Sequence, residues 1–157
     1  MRPYPEEVLR AIQTGVTAHF APELKSSYGQ AQFAFSMLLF TIVQRDYDTA
    51  VPDLVDANRA LRDLLASAHA ALASIDRDDA RAARLAAAAL PPPAPSLRLS
   101  ALRTENEALR TIICALTPVM EPAADDPTLA PMMPVRTAIY AHLAADAKRR
   151  IFPILSA

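Results

Sequence analysis

The sequence predicts an all-α chain, built as an up-and-down bundle of five to six helices with no β-sheet. Only two of the 157 residues are glycine, which is too few for the tight turns of an all-β chain or for a glycine-rich phosphate loop. Apolar side chains recur every three or four residues through most of the chain, the spacing of one helix face. We therefore expect a single helical domain over residues 1–157.

Two helices are expected in the first third of the chain. The first covers residues 5–20, because proline and two acidic residues suit its start and apolar residues follow four apart. The second covers residues 27–45 and is apolar on nearly all sides, which predicts burial at the centre of the bundle or at a subunit interface. Its densely apolar part, residues 33–43, is shorter than a bilayer span, so no membrane span is predicted.

Four further helical segments are expected after a turn at residues 46–49. They cover residues 52–73, 77–90 and 97–116, and a last one begins near Pro134 after a surface loop at residues 117–134. The prolines of residues 91–95 form a stiff spacer between an N-terminal helical part and a C-terminal helical hairpin. Neither part is large enough to be expected to fold alone, so we predict a single domain.

The helix at residues 97–116 carries a short heptad pattern. Its apolar positions alternate three and four apart, with a polar residue at one a position: Leu99, Leu102, Asn106, Leu109, Ile113 and Leu116. The run covers fewer heptads than a coiled coil needs. Packing inside one subunit and a seam between two subunits both remain open.

Candidates for catalysis or metal binding are few. Helical bundles hold metal ions with inward side chains on facing helices, so His19 and His142, with Glu23, form an alternative metal- or ligand-binding set. No Glu-x-x-His pair supports this set, and core or boundary histidines are the plainer interpretation. Cys114 is alone in the chain, which excludes an internal disulfide and a zinc site of several thiolates. No catalytic residue and no cofactor is predicted, and the sequence favours a protein that is not an enzyme.

The net charge of the chain bears on the class of binding partner, and the sequence of its N-terminus bears on the cellular compartment. A net charge of −1 offers no attraction for nucleic acid. The first residues contain no apolar stretch after a basic one, so no secretory signal is predicted. A cytoplasmic location fits this pattern and the lone cysteine.

A family resemblance is carried by short segments of the chain. These are Pro5, Leu9 and Ile12, then Pro22-Glu23-Leu24 with Tyr28, and later Glu105-Asn106-Glu107, Leu109-Arg110 and Ile112. They resemble a group of small helical bacterial proteins of unknown function, associated with operons that hold aminoglycoside-phosphotransferase-like kinases and acyl-CoA dehydrogenases. The resemblance implies an accessory or partner-binding role and supplies no catalytic residues.

The function predicted from these observations is self-association, most simply as a homodimer, or binding of a protein partner. The interface candidates are the second apolar face of the helix at residues 27–45, formed by Phe33, Met37 and Phe40, and the apolar C-terminal tail with Phe152. Binding of a metal or small ligand through the histidines is the alternative.

Overall fold

The computed structural model describes residues 3–150 of the chain, except for the side chain of Arg150. This part of the chain is all-helical and contains no strand, which confirms the predicted all-α class. None of its helices combines the length and the apolar composition that a bilayer crossing requires.

Six α-helices and three short 3-10 helices make up the described residues. The α-helices are α1 Pro5–His19, α2 Ser27–Leu72, α3 Asp78–Ala88, α4 Leu99–Ala115, α5 Thr117–Met120 and α6 Met133–Arg150. The 3-10 helices are Ala21–Glu23, Pro122–Ala124 and Pro127–Met132.

Helix α2 differs most from the sequence-based expectation. The turn predicted at residues 46–49 is wrong, because one helix of 46 residues runs through it and contains Pro52. That segment holds no glycine, and its acidic residues are tolerated on an exposed helix face, where Asp46 pairs with Arg45 at 2.8 Å. Interior proline removes one helical hydrogen bond and its ring crowds the carbonyl four residues earlier, which costs about 3 kcal/mol. The helix continues through Pro52 in spite of this cost.

The chain divides into two compact units, one ending at Asp53 and the other beginning at Leu54. In the first unit, α1 and α2 contact each other where the Thr17 hydroxyl lies 3.8 Å from the Met37 sulfur. No residue from 3 to 57 is buried. The expected central burial of the helix at residues 27–45 is therefore wrong. With α1 as its neighbour in this unit, α2 lacks the packing partners that would cover its other apolar side.

The second unit holds the hydrophobic core. Side chains from the end of α2 through α6 form one buried cluster. Its largest fully buried side chains are Leu61, Leu65, Leu72, Leu109, Leu116, Val119, Leu129, Met132 and Ile139. The surface loop expected at residues 117–134 is wrong, because this segment forms short helices and buries four large apolar side chains, Val119, Met120, Leu129 and Met132.

The heptad positions of α4 also face this interior. Five of the six heptad residues are buried by the chain itself, and the first, Leu99, is half-buried. The five are Leu102, Asn106, Leu109, Ile113 and Leu116. Asn106 donates a hydrogen bond of 2.8 Å to the Asn58 side chain of α2. Of the two arrangements left open by the sequence, the structure shows packing inside one subunit.

Candidate interaction surface

A line of exposed apolar side chains runs along the first half of α2. Its members, which we call the α2 stripe, are Tyr28 (75% exposed), Phe35 (56%), Leu39 (45%), Val43 (55%) and Tyr47 (46%). Four of them follow one another four residues apart, and residues at this spacing are neighbours on a helix surface. The α2 stripe is therefore a continuous apolar strip and not a scatter of single side chains.

Another face of the same helix carries the interface residues predicted from the sequence. Phe33, Met37 and Phe40 share one face, and all three are half-buried. Met37 accepts the Thr17 hydroxyl hydrogen bond, which places α1 on this side of the helix. Phe152, the remaining predicted interface residue, lies outside the described residues.

Helix α1 leaves apolar side chains exposed as well. Tyr4, Val8 and Ile12 follow one another four residues apart, and Phe20 lies at the C-cap of the helix. The helix has no buried residue. Both helices of the first unit thus present apolar side chains to solvent.

The α2 stripe is electrically neutral along most of its length. No charged residue occurs from Ser26 to Gln44, and the nearest charges are Lys25 before this window and Arg45 after it. Ser36, which lies beside the stripe, donates a hydrogen bond of 2.9 Å to a carbonyl oxygen of its own helix. Its hydroxyl is already hydrogen-bonded, so covering it leaves the donor satisfied.

Sequence reasoning missed the α2 stripe because it ended the helix at residue 45 and placed Tyr47 in a turn. In a helix that is apolar on both sides, periodicity alone does not show which side the chain covers. The signal that could have identified the stripe is the unbroken four-residue recurrence from Phe35 to Tyr47, combined with a first unit that supplies few elements to cover it.

The residues predicted for metal binding lie in three different helical elements. His19 is exposed at the end of α1, and Glu23 is exposed in the first 3-10 helix. His142 is half-buried on α6, where burial lowers the pKa of its imidazole and the nearby Asp146 carboxylate opposes that change. Within residues 3–150 no three His, Cys, Asp or Glu side chains form a group that could hold a metal ion.

A depression on α1 offers little to a small ligand. It has a volume of about 370 Å³ and is lined by Gln13, Thr14, Thr17 and Ala18. All four lining residues belong to one helix, and none of them titrates. Binding sites for small molecules are usually enclosed clefts with convergent polar groups, which this depression does not resemble.

A buried polar cluster in the second unit was also missed by sequence reasoning. The Glu105 carboxylate accepts hydrogen bonds from Arg62 at 2.6 and 2.8 Å, from the Ala94 N–H at 3.0 Å and from Asn58 at 3.1 Å. Arg62 also donates to the Pro91 carbonyl at 2.8 Å. Burial opposes ionisation of Glu105, but these donors outweigh it and hold its pKa below the ordinary value.

This cluster has a structural role. Its carboxylate is surrounded by donors from α2 and from the proline-rich segment, so it fixes residues 91–95 against the helices instead of presenting a reactive group. The spacer predicted between two parts of the chain is thus held by hydrogen bonds inside the second unit.

Comparisons of the chain with protein-family models, with curated proteins and with solved structures found no match.

Proposed function

We propose that the protein acts without catalysis of its own, by binding a protein through the α2 stripe. The observation that carries this proposal is the line of five large side chains from Tyr28 to Tyr47, each close to half exposed or more. Single exposed apolar residues are ordinary on protein surfaces, but contiguous apolar patches mark interaction sites. Burying a fully exposed large apolar side chain is worth about 1.5–3 kcal/mol, so covering the 45–75% that is still exposed on each stripe residue contributes about half of that per residue. Five residues together can therefore support a specific complex.

We also propose three features that the sequence predicts. These are an up-and-down arrangement of the helices, a cytoplasmic location, and association either with a second copy of this chain or with another protein. The resemblance to small helical bacterial proteins implies the same accessory role. The absence of charge from Ser26 to Gln44 supports an apolar protein surface as the partner, because a charged surface would lose its hydration there without gaining an ion pair.

The test is affinity purification of the tagged full chain from cells that express it naturally. Wild type is compared with Phe35→Asp and Val43→Asp, which place a charge on the α2 stripe. Leu85→Asp is the matched control, because Leu85 is an exposed apolar residue (71%) of α3. We expect wild type and Leu85→Asp to retain the same bound protein, whether another protein or an untagged copy of this chain.

The two stripe variants should lose that protein while unfolding at the same urea concentration as the control, because exposed substitutions usually change stability by less than about 0.5 kcal/mol. The proposal would be overturned if wild type retains no protein at all. It would equally be overturned if both stripe variants retain the bound protein as well as wild type does.

A further inference from the structure

The α2 stripe supplies more than half of the area that one side of a standard protein–protein interface buries. Aromatic side chains expose up to about 150–250 Å² each, so the five stripe residues together leave roughly 500 Å² exposed at the observed fractions. A stable interface of standard size buries about 800 Å² on each partner. The half-buried Leu38 and Ile42 and the exposed Ala31 lie at the border of the stripe and extend it towards that size.

The stripe is compatible with a copy of itself. A twofold contact places the same surface on both sides, so any charge on the surface risks meeting its own copy. The window from Ser26 to Gln44 contains no charged residue, which removes this repulsion at every register within it. A second copy also offers a surface of the same apolar character and the same length.

The order of large and small residues favours antiparallel pairing about Leu39. With the twofold axis beside Leu39, Phe35 lies level with Val43 of the second copy, Tyr28 with Ala50, and Tyr47 with Ala31. Each large aromatic side chain therefore meets a smaller residue, which is how facing helices interdigitate. A parallel pair would set Phe35, Tyr28 and Tyr47 each against its own copy.

The polar residues at the two ends of the stripe favour the same direction. In the antiparallel register, Lys25, which precedes the first residue of α2, lies at the same end of the stripe as Asp53 of the second copy, and the Gln32 amide is level with Asp46. In a parallel pair, Lys25 would approach the other Lys25 and the acidic residues would approach each other. Charge pairs at the rim of an interface fix orientation and register more than affinity.

From the area, the neutrality, the size pattern and the end charges together, we infer that a second copy of this chain covers the α2 stripe, antiparallel and with the twofold axis beside Leu39. The inference rests on the proposed function and names its partner. It also assigns a place to each stripe residue, which makes the register testable.

The first experiment measures mass by sedimentation equilibrium of the purified full chain over micromolar concentrations. We expect wild type to sediment as a dimer of the 17.0 kDa chain. Leu39→Lys puts two like charges together at the axis and should raise the dissociation constant at least about tenfold. Leu85→Lys, the same change at an exposed leucine of α3, should leave the dimer intact. A wild type that stays monomeric overturns the inference, as does an unchanged Leu39→Lys dimer.

The second experiment reads the register by crosslinking and does not depend on weakening the dimer. Cys114→Ser removes the only cysteine of the chain, and single cysteines are then introduced and treated with a short bismaleimide. Leu39→Cys should crosslink to itself. Phe35→Cys and Val43→Cys should crosslink when mixed but not alone, because each is displaced from its own copy by about 12 Å along the helix axis in this register.

In a parallel dimer, every one of these variants would crosslink to itself, and the inferred arrangement would be wrong. The inference and the proposed function fail in different ways. A monomeric wild type that still retains another protein through Phe35 and Val43 overturns the second-copy inference alone. A monomeric wild type that retains no protein overturns both.

Discussion

Asn58 and Glu105 lie 47 residues apart in the chain and meet in a buried hydrogen bond of 3.1 Å between the amide nitrogen and the carboxylate. The same carboxylate accepts hydrogen bonds from Arg62 and from the Ala94 N–H. One side chain of α4 therefore connects α2 with the proline-rich segment before α4. The side chain belongs to the hydrogen-bonded framework of the second unit, and its charge is compensated there.

Removing this carboxylate should be costly. Glu105→Ala leaves the buried Asn58 amide, the Ala94 N–H and the Arg62 guanidinium without their shared acceptor. Breaking a buried ion pair by removing one partner costs about 3–5 kcal/mol. Urea unfolding followed by circular dichroism measures this loss. Glu107→Ala, an exposed site two residues along the same helix, is the control and should change stability by less than about 0.5 kcal/mol. Equal losses at the two sites would contradict the role assigned to Glu105.

The stability of the protein should fall in acid partly through Glu105. Burial alone would raise the pKa of this carboxyl, but the hydrogen bonds from Arg62, Ala94 and Asn58 lower it below its ordinary 4.5. A carboxyl with a lowered pKa in the folded state stabilises the protein above its unfolded-state pKa, and this contribution is lost as the pH falls through the folded-state pKa. The loss contributed by Glu105 therefore begins near pH 4.5 and grows below it.

Glu105→Gln is the variant that isolates this effect, because glutamine keeps the shape of the side chain and does not titrate. Between about pH 5 and about pH 3, we expect the free energy of unfolding to fall less in this variant than in wild type. Urea unfolding at a series of pH values gives the two curves. Asp79 and Asp126, whose pKa values are also lowered, are present in both proteins and cancel in the comparison. Parallel curves would show that Glu105 does not contribute.

Two leucines should respond very differently to truncation. Leu109 is fully buried in the core on α4, whereas Leu85 is 71% exposed on α3. Leu109→Ala loses apolar contacts and leaves a cavity, which costs about 2–5 kcal/mol. Leu85→Ala should change stability by less than about 0.5 kcal/mol. The difference between their urea midpoints measures the contrast, and a small loss at Leu109 would be inconsistent with the core described for the second unit.

The fold class and several helix ends could be predicted from the sequence because local signals determine them. The first helix was expected over residues 5–20 and is observed as Pro5–His19, where proline occupies the first turn. The continuity of α2 could not be predicted in the same way. Proline is favoured in the first turn of a helix, so Pro52 predicts a helix start. In a helix interior it loses one hydrogen bond and crowds the carbonyl four residues earlier, and the neighbouring sequence does not show that α2 continues through it.

The interface candidates Phe33, Met37 and Phe40 stay a prediction, and the exposed α2 stripe lies on a different face of the same helix. The sequence shows that residues 27–45 carry apolar side chains on both sides, and it does not show which side α1 covers. The contact between Thr17 and Met37 supplies that information and leaves Phe35, Leu39 and Val43 exposed.

The Glu105 cluster could not be predicted from the sequence either, because its pattern does not show which distant residues meet. The side-chain partners of Glu105 are 43 and 47 residues away, and its third partner is a backbone N–H.

The proline inside α2 provides a test of the helix itself. Pro52 has no N–H, so the carbonyl four residues earlier, that of Asp48, lacks its usual helical partner. Alanine restores this donor and is about 3 kcal/mol more favourable than proline in a helix interior. We therefore expect Pro52→Ala to raise the free energy of unfolding by about 1–3 kcal/mol, measured by urea unfolding at a fixed protein concentration.

The control for this change is Pro5→Ala at the first position of α1, where proline is already favoured and where the N–H that alanine adds has no intrahelical partner. Its effect should stay within about 0.5 kcal/mol. If Pro52→Ala instead lowers the free energy of unfolding while Pro5→Ala does not, α2 depends on the local geometry that proline imposes. That result would contradict the expected gain from restoring the hydrogen bond. A gain at Pro52 with no change at Pro5 would show that α2 forms as one continuous helix in spite of its proline.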